Sequence, residues 1–224
     1  MRGVVSLLRA EPRARLFYVA LTQSALGNGA AYVALLLVAY DRWPSPWAIS
    51  LVLLADLLPA MLLGPVFGAM ADRWSRRWCA VAADVIRAVA FIGIAVVDVF
   101  AATVAFAVLA GTGTALFTPA TLAGLPSLVS KDRLPAATSL YGAIADLGYT
   151  AGPGIAAVIL IAAGAEELLL ANGVTFFISA VILARLPFGA RPVVEESRAR
   201  VAATDQVRAL LATSKIPAGA PSAP

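Results

Sequence analysis

The chain has 224 residues, of which 61% are hydrophobic and only 13% charged, with a mean hydropathy of +0.87. A soluble domain of this length is roughly 45–50% apolar and about 25% charged, so a soluble enzyme, a disordered tail and a nucleic-acid module give way to a polytopic membrane protein. The formal charge is +4, with no His and a single Cys, which removes His-ligated zinc, a Ser-His-Asp triad and any internal disulfide.

Residues 1–15 hold Arg2, Arg9, Arg13 and Arg15 and read as a short cytoplasmic segment. Residues 16–186 then contain six apolar stretches long enough to cross a bilayer. They run Leu16 to Tyr40, Trp47 to Ala71, Trp78 to Val97, Ala101 to Leu125, Ala136 to Ala163 and Leu168 to Leu186. The first opens too far from Met1, and runs too long, for a cleaved signal peptide. Arg73, Arg76 and Arg77 separate spans two and three, Lys131 and Arg133 separate four and five, and Arg185, Arg191, Arg198 and Arg200 follow six. The alternate loops carry Asp41, Asp98, Glu166 and Glu167, with Arg42 as their one cation. By the positive-inside rule both termini are cytoplasmic and the chain is a multi-pass protein of the cytoplasmic membrane. The basic charge then reflects topology, and no nucleic-acid partner is expected. Residues 187–224 turn polar and then rich in Ala, Pro and Ser, which reads as a largely disordered cytoplasmic tail with a weak apolar stripe over Ser197 to Thr213.

The connection between spans two and three reads Gly68-Ala69-Met70-Ala71-Asp72-Arg73-Trp74-Ser75-Arg76-Arg77. Gly68 lets two helices approach closely, Asp72 can cap or pair at a helix end, and the arginines anchor a tight loop. This stretch resembles the Gly-x-x-x-Asp-Arg-x-x-Arg-Arg signature of the major facilitator superfamily, in which the loop likewise joins the second and third helices. Phe117-Thr118-Pro119-Ala120, Leu125-Pro126-Ser127-Leu128-Val129 and Gly148-Tyr149-Thr150-Ala151-Gly152-Pro153 look like the exporter branch that includes enterobactin and macrolide efflux proteins. The last of these is similar to the fifth-helix signature of antiporter members. Gly148 and Gly152 supply a close-packing face, and Pro153 removes a backbone donor and bends the helix. The chain departs from those patterns at Ala156 and Ala157, where paired glycines would stand, and at Thr121, where an Arg would follow Pro-Ala. Span four reads Gly111-Thr112-Gly113-Thr114 and lacks the embedded Arg of many drug–proton antiporters.

Four ionisable groups fall inside the spans: Asp56, Asp84, Arg87 and Asp146. Left facing lipid, each would cost several kcal/mol, so each should face the bundle or water. Asp84 and Arg87 are three residues apart and can pair, which assigns them to a cytoplasmic gate with Gly68, Asp72, Arg73, Arg76 and Arg77. Asp56 and Asp146 are candidate coupling groups, and Asn28, with Tyr18, Gln23 and Asn172, a candidate cavity residue; interhelical hydrogen bonding is the plainer role for each. Phe106, Phe117, Phe176 and Phe177 suit an apolar substrate or simple packing.

The resemblance implies an all-α fold of six transmembrane helices, built as two inverted three-helix repeats and equal to half of a twelve-helix transporter. It also implies secondary active efflux of a small, partly apolar molecule by alternating access, with no cofactor or metal and with a second six-helix half or a homodimer partner completing the carrier. A truncated half, a non-transporting membrane fragment or scaffold and, more remotely, an intramembrane enzyme are the alternatives. Against the enzyme stand the missing His base and the absence of a Gly-x-Ser-x-Gly elbow. No ATP-binding Gly-x-x-x-x-Gly-Lys-Ser loop occurs, so a gradient or a partner must supply the energy.

Overall fold

Prolines set where several helices begin. Pro12, Pro46, Pro65 and Pro135 each lie in the first turn of a helix, where the missing N–H has no intrahelical acceptor to disappoint. The computed structural model describes residues 2–188, apart from the side chains of residues 2–5 and of Asp72. In chain order these residues form α1 (Arg2–Ala10), α2 (Pro12–Arg42), α3 (Pro46–Leu62), α4 (Gly64–Arg73), α5 (Arg76–Val96), α6 (Phe100–Gly124), α7 (Leu134–Ala162) and α8 (Ala165–Ala184). Two single-turn 3-10 helices, Leu125–Ser127 and Lys131–Arg133, connect α6 to α7. Among the described residues there is no strand.

Five helices (α2, α5, α6, α7 and α8) are long and apolar enough to cross a membrane singly. The second predicted span is not one helix. It is the pair α3 and α4, bent by 46° at their junction. The cause is local: Pro65 has no N–H to offer the carbonyl four residues back, and its ring crowds that carbonyl. Leu63 therefore closes α3 on the Pro59 carbonyl at 2.9 Å, and Phe67 restarts the ladder on Leu63 at 2.9 Å. Two other boundaries differ from the sequence reading. The segment before span one is itself helical, as α1 and the first turn of α2. At the other end, Phe188 is buried with its ring 5.9 Å from Phe17, so packing extends into the predicted tail. The rest of that tail, including Ser197 to Thr213, lies outside the described residues.

The packing follows a pattern of exchange. Helix α2 packs on α7 and α8, α6 packs on α3 and α5, and α5 meets α8. Exchanging α2 with α6, α3–α4 with α7, and α5 with α8 leaves this list unchanged, as two three-helix repeats related by a two-fold axis require. Three spans per repeat is an odd number, so the second repeat must run inverted relative to the first. Glycines make the two equivalent crossings. A Cβ on Gly29 of α2 would collide with the carbonyl of Gly148 on α7, and one on Gly111 of α6 with the carbonyl of Asp56 on α3. Backbone lies on backbone in both places, the close approach that drives helix association in lipid. Gly68, by contrast, has no atom within 4 Å of a Cβ built on it, so the close approach read from its sequence context is not made among the described residues.

Two buried apolar clusters result. One gathers Leu7, Phe17, Tyr18, Leu125, Tyr141 and Leu183 toward the end that carries the basic loops. The other gathers Leu35, Val52, Phe91, Ile94, Leu169 and Phe176 toward the opposite end. At that opposite end, Arg42 explains its own presence among acidic loops. Its guanidinium donates to the carbonyls of Ile94, Ala95 and Val97 at 2.8–2.9 Å and to Glu166 Oε1 at 2.6 Å. A cation at the carboxyl end of α5 satisfies orphan carbonyls and opposes the helix dipole.

Candidate functional site

A cavity of about 460 Å³ opens in the bundle beside α3. Helix α3 contributes Ser50, Leu53, Leu54, Asp56, Leu57 and Ala60, spaced three and four residues apart along one side of the helix. Asn28, Tyr32 and Leu35 come from α2, Phe91 from α5, Thr114 from α6 and Tyr149 from α7. The lining is thus aliphatic and aromatic with a few polar groups, the usual make-up of a small-molecule site. Asp56 is its one ionisable carboxylate, and its position is fixed by the Gly111 crossing behind it. No hydrogen bond or ion pair reaches the Asp56 carboxylate among the described residues, and neither oxygen is sealed from solvent.

Below the main cavity a narrower one of about 90 Å³ shares Asn28, Thr114 and Tyr149 with it and adds Ser24, Arg87, Thr118 and Tyr141. Arg87 forms its charged wall. The guanidinium donates from Nη2 to Asp84 Oδ1 and lies between two rings, 4.0 Å from the Phe117 centroid and 4.2 Å from that of Phe176. Two aromatic faces give the cation the stabilisation that water would otherwise supply. Among the described residues, Asp84 Oδ2 and Arg87 Nε have no hydrogen-bond partner. Tyr141 shares a 3.1 Å hydrogen bond with Thr121, whose hydroxyl also donates to the Phe117 carbonyl at 2.8 Å.

The remaining sequence-predicted residues separate into distinct places. Asp84 and Arg87 pair with each other, and among the described residues no ion pair joins them to Arg73, Arg76 or Arg77. In the connection after α4, Arg76 donates to the Ala123 carbonyl of α6 at 3.0 Å, Arg77 stacks over Trp78 at 5.2 Å, and Arg73 is exposed. The side chain of Asp72 lies outside the described residues. Gly148 and Gly152 are buried against α2, whereas Pro153 is exposed and α7 runs through it as one helix. Asp146 is exposed and lines neither cavity. Asn28 lines both. Tyr18 instead donates to the Ala137 carbonyl at 2.8 Å and Gln23 to the Thr175 carbonyl at 2.7 Å, both as interhelical bonds, while Asn172 is buried beside Gly27. Phe117 and Phe176 enclose Arg87, Phe106 covers Gly93, and Phe177 faces outward, so none of the four lines the main cavity. Tyr32, Phe91, Thr114 and Tyr149 were not singled out for it in the sequence. Tyr32 stands one helical turn after Asn28, a spacing that places both on one face and offered the one available signal.

Comparison with known proteins decides the family. The Major Facilitator Superfamily profile matches residues 17–220. The chain belongs to the Major Facilitator Superfamily. Similar proteins include the MFS-type transporter YfiS of Bacillus subtilis (strain 168), 28% identical over 187 residues, which cover 83% of this chain and 42% of YfiS. The multidrug efflux pump Tap of Mycolicibacterium fortuitum is 31% identical over 164 residues, covering 68% of this chain and 40% of Tap. The MFS-type transporter Rv0037c of Mycobacterium tuberculosis (strain ATCC 25618 / H37Rv) is 36% identical over 118 residues, half of this chain. The chain therefore spans about two-fifths of the length of the first two relatives. As a superfamily member with this helical architecture, it is a multi-pass membrane protein.

Proposed function

We propose that the bundle forms one half of an alternating-access carrier that exports a small, partly apolar molecule across the cytoplasmic membrane. The observation that carries this reading is the cavity of about 460 Å³ beside α3, apolar in most of its lining and open to solvent at a carboxylate. Its volume falls within the roughly 300–1,000 Å³ of small-molecule sites. A second six-helix bundle, continuous in the same polypeptide or supplied by another copy, would close the cavity from the opposite side. Export as the direction rests on similarity to Tap, the multidrug efflux pump. The basic loops support a cytoplasmic position for both termini by the positive-inside rule.

The turn between α4 and α5 acts in this scheme as the gate, with Asp72, Arg73, Arg76 and Arg77 holding α4 and α5 to α6 in one of the two states. The Arg76 bond to Ala123 supplies one such tie. Gly148 and Gly152 form the surface on which α7 rocks against α2, with Pro153 the point at which it flexes. The experiment is efflux of a fluorescent lipophilic dye from cells lacking their own exporters, comparing the protein with Asp72→Asn. Efflux lost in the variant with membrane insertion intact is the expected result. Equal efflux would remove the gate, and no efflux by either would remove the transport reading. Tags on both ends, probed with an impermeant protease on intact cells, should both be protected.

A further inference from the structure

The main cavity presents one negative charge in an otherwise neutral wall. Asp56 has no cation within salt-bridge distance and no hydrogen-bond donor among the described residues. The cation whose field reaches it is Arg87, and that guanidinium is already paired with Asp84 and enclosed by Phe117 and Phe176. Arg87 is therefore not free to serve as Asp56's partner. Around Asp56 stand three aromatic side chains, Tyr32, Phe91 and Tyr149, together with leucines. A carboxylate at this depth is costly unless something positive meets it, and aromatic faces favour a cation over an anion. Charge and shape thus favour one class of occupant.

We infer that Asp56 selects the substrate by charge, so that the site takes lipophilic monocations, molecules with one positive centre on an aryl or alkyl body. This rests on the transport reading for its purpose but not for its test. Asp56 supplies the counter-charge, Tyr32, Phe91 and Tyr149 supply the apolar and quadrupolar wall, and Arg87 repels a second positive centre from the adjoining narrow cavity. A dication is accordingly a poor ligand.

Tetraphenylphosphonium and tetraphenylborate are near-identical in shape and opposite in charge, which makes them the probes of choice. The full chain in phosphatidylcholine nanodiscs is dialysed to equilibrium against each radiolabelled ion, with empty nanodiscs giving the lipid background. Tetraphenylphosphonium is expected to bind saturably, with Asp56→Asn raising its Kd about tenfold or more. Asp56→Glu should hold it within a few-fold, and Asp132→Asn, on an exposed loop, should leave it unchanged while altering net charge equally. Tetraphenylborate binding should be weak to the parent protein and no weaker to Asp56→Asn. Equal tetraphenylphosphonium affinity for the protein and Asp56→Asn, equal affinity of the protein for both ions, or no saturable binding would each overturn the inference. Thermal unfolding of each variant confirms that a loss of binding is not a loss of fold. Asp56-dependent binding without dye efflux would sink the transport reading alone. Efflux of a neutral dye with cation binding indifferent to Asp56 would sink the charge selection alone.

Discussion

Asp84 and Asp56 are both carboxylates within membrane-spanning helices, yet their surroundings answer the same physical problem in opposite ways. Asp84 is fully buried and neutralised three residues along its own helix by Arg87, which is itself enclosed by aromatic rings. Asp56 sits half-buried on the wall of a cavity, with no partner for its carboxylate among the described residues. A charge sealed in the bundle requires an internal partner, because desolvation is otherwise uncompensated. A charge left bare persists only where solvent or a ligand reaches it. The first arrangement is closed within α5 and the rings that enclose it; the second leaves a carboxylate facing a cavity.

The largest effect should come from breaking the sealed pair. Asp84→Ala leaves Arg87 buried without a counter-charge and should destabilise the bundle by about 3–5 kcal/mol, read as a drop in the thermal unfolding midpoint in detergent. Replacing both partners with apolar residues, Asp84→Leu with Arg87→Met, should recover most of that loss, since a buried ion pair stabilises little relative to well-packed hydrophobes. Asp56→Asn, which removes no protein contact, should stay within about 0.5 kcal/mol of the parent. If Asp56→Asn proved as destabilising as Asp84→Ala, the contrast between the two sites would be lost.

A smaller effect tests how Asp56 is held in position. Gly111→Leu forces a side chain into the backbone of Asp56, and Gly29→Leu does the same against Gly148. Overpacking of this kind costs about 1–3 kcal/mol, and displacing α3 should also widen or close the cavity. Gly68→Leu and Gly142→Leu, where a Cβ meets nothing within 4 Å, should leave the unfolding midpoint unchanged. Matching losses at all four positions would mean that the glycines act through helix propensity rather than through contact.

Much of this architecture was legible in one dimension. Long apolar runs show where helices cross, and the Asp84–Arg87 spacing indicates a pair because three residues is nearly one helical turn. The bend in span two was also present, in Pro59, Gly64 and Pro65, but apolar content alone joined α3 to α4. What sequence spacing cannot supply is the neighbour on another helix. Asp56 and Asp146 look alike along the chain, and only the crossing of α3 with α6 turns one into the cavity while the other is left on the exposed side of α7. Phe117 and Phe176 are 59 positions apart, and their shared contact with Arg87 depends on α6 and α8 both flanking α5. Arg42 reads as an exception to the charge pattern until the end of α5 is placed beside it.

Arg42 carries the last and smallest test, because it handles a charge in a third way, packed against a helix end with only 10% of its side chain exposed. Its bonds to three carbonyls and to Glu166 predict a loss of about 1–2 kcal/mol for Arg42→Ala. The two acidic partners should differ. Glu166 Oε1 lies 2.6 Å from Nη2, within hydrogen-bond distance, while Asp98 Oδ1 lies 3.7 Å from Nε on a side chain that is 76% exposed. An exposed pair at the longer distance is largely screened. Glu166→Gln should therefore lower the unfolding midpoint measurably, and Asp98→Asn should not, at physiological salt. The order should survive at low ionic strength with both effects enlarged. If Asp98→Asn were the more damaging, the acidic loop rather than the carboxyl end of α5 would be what fixes Arg42, and the cap would be secondary.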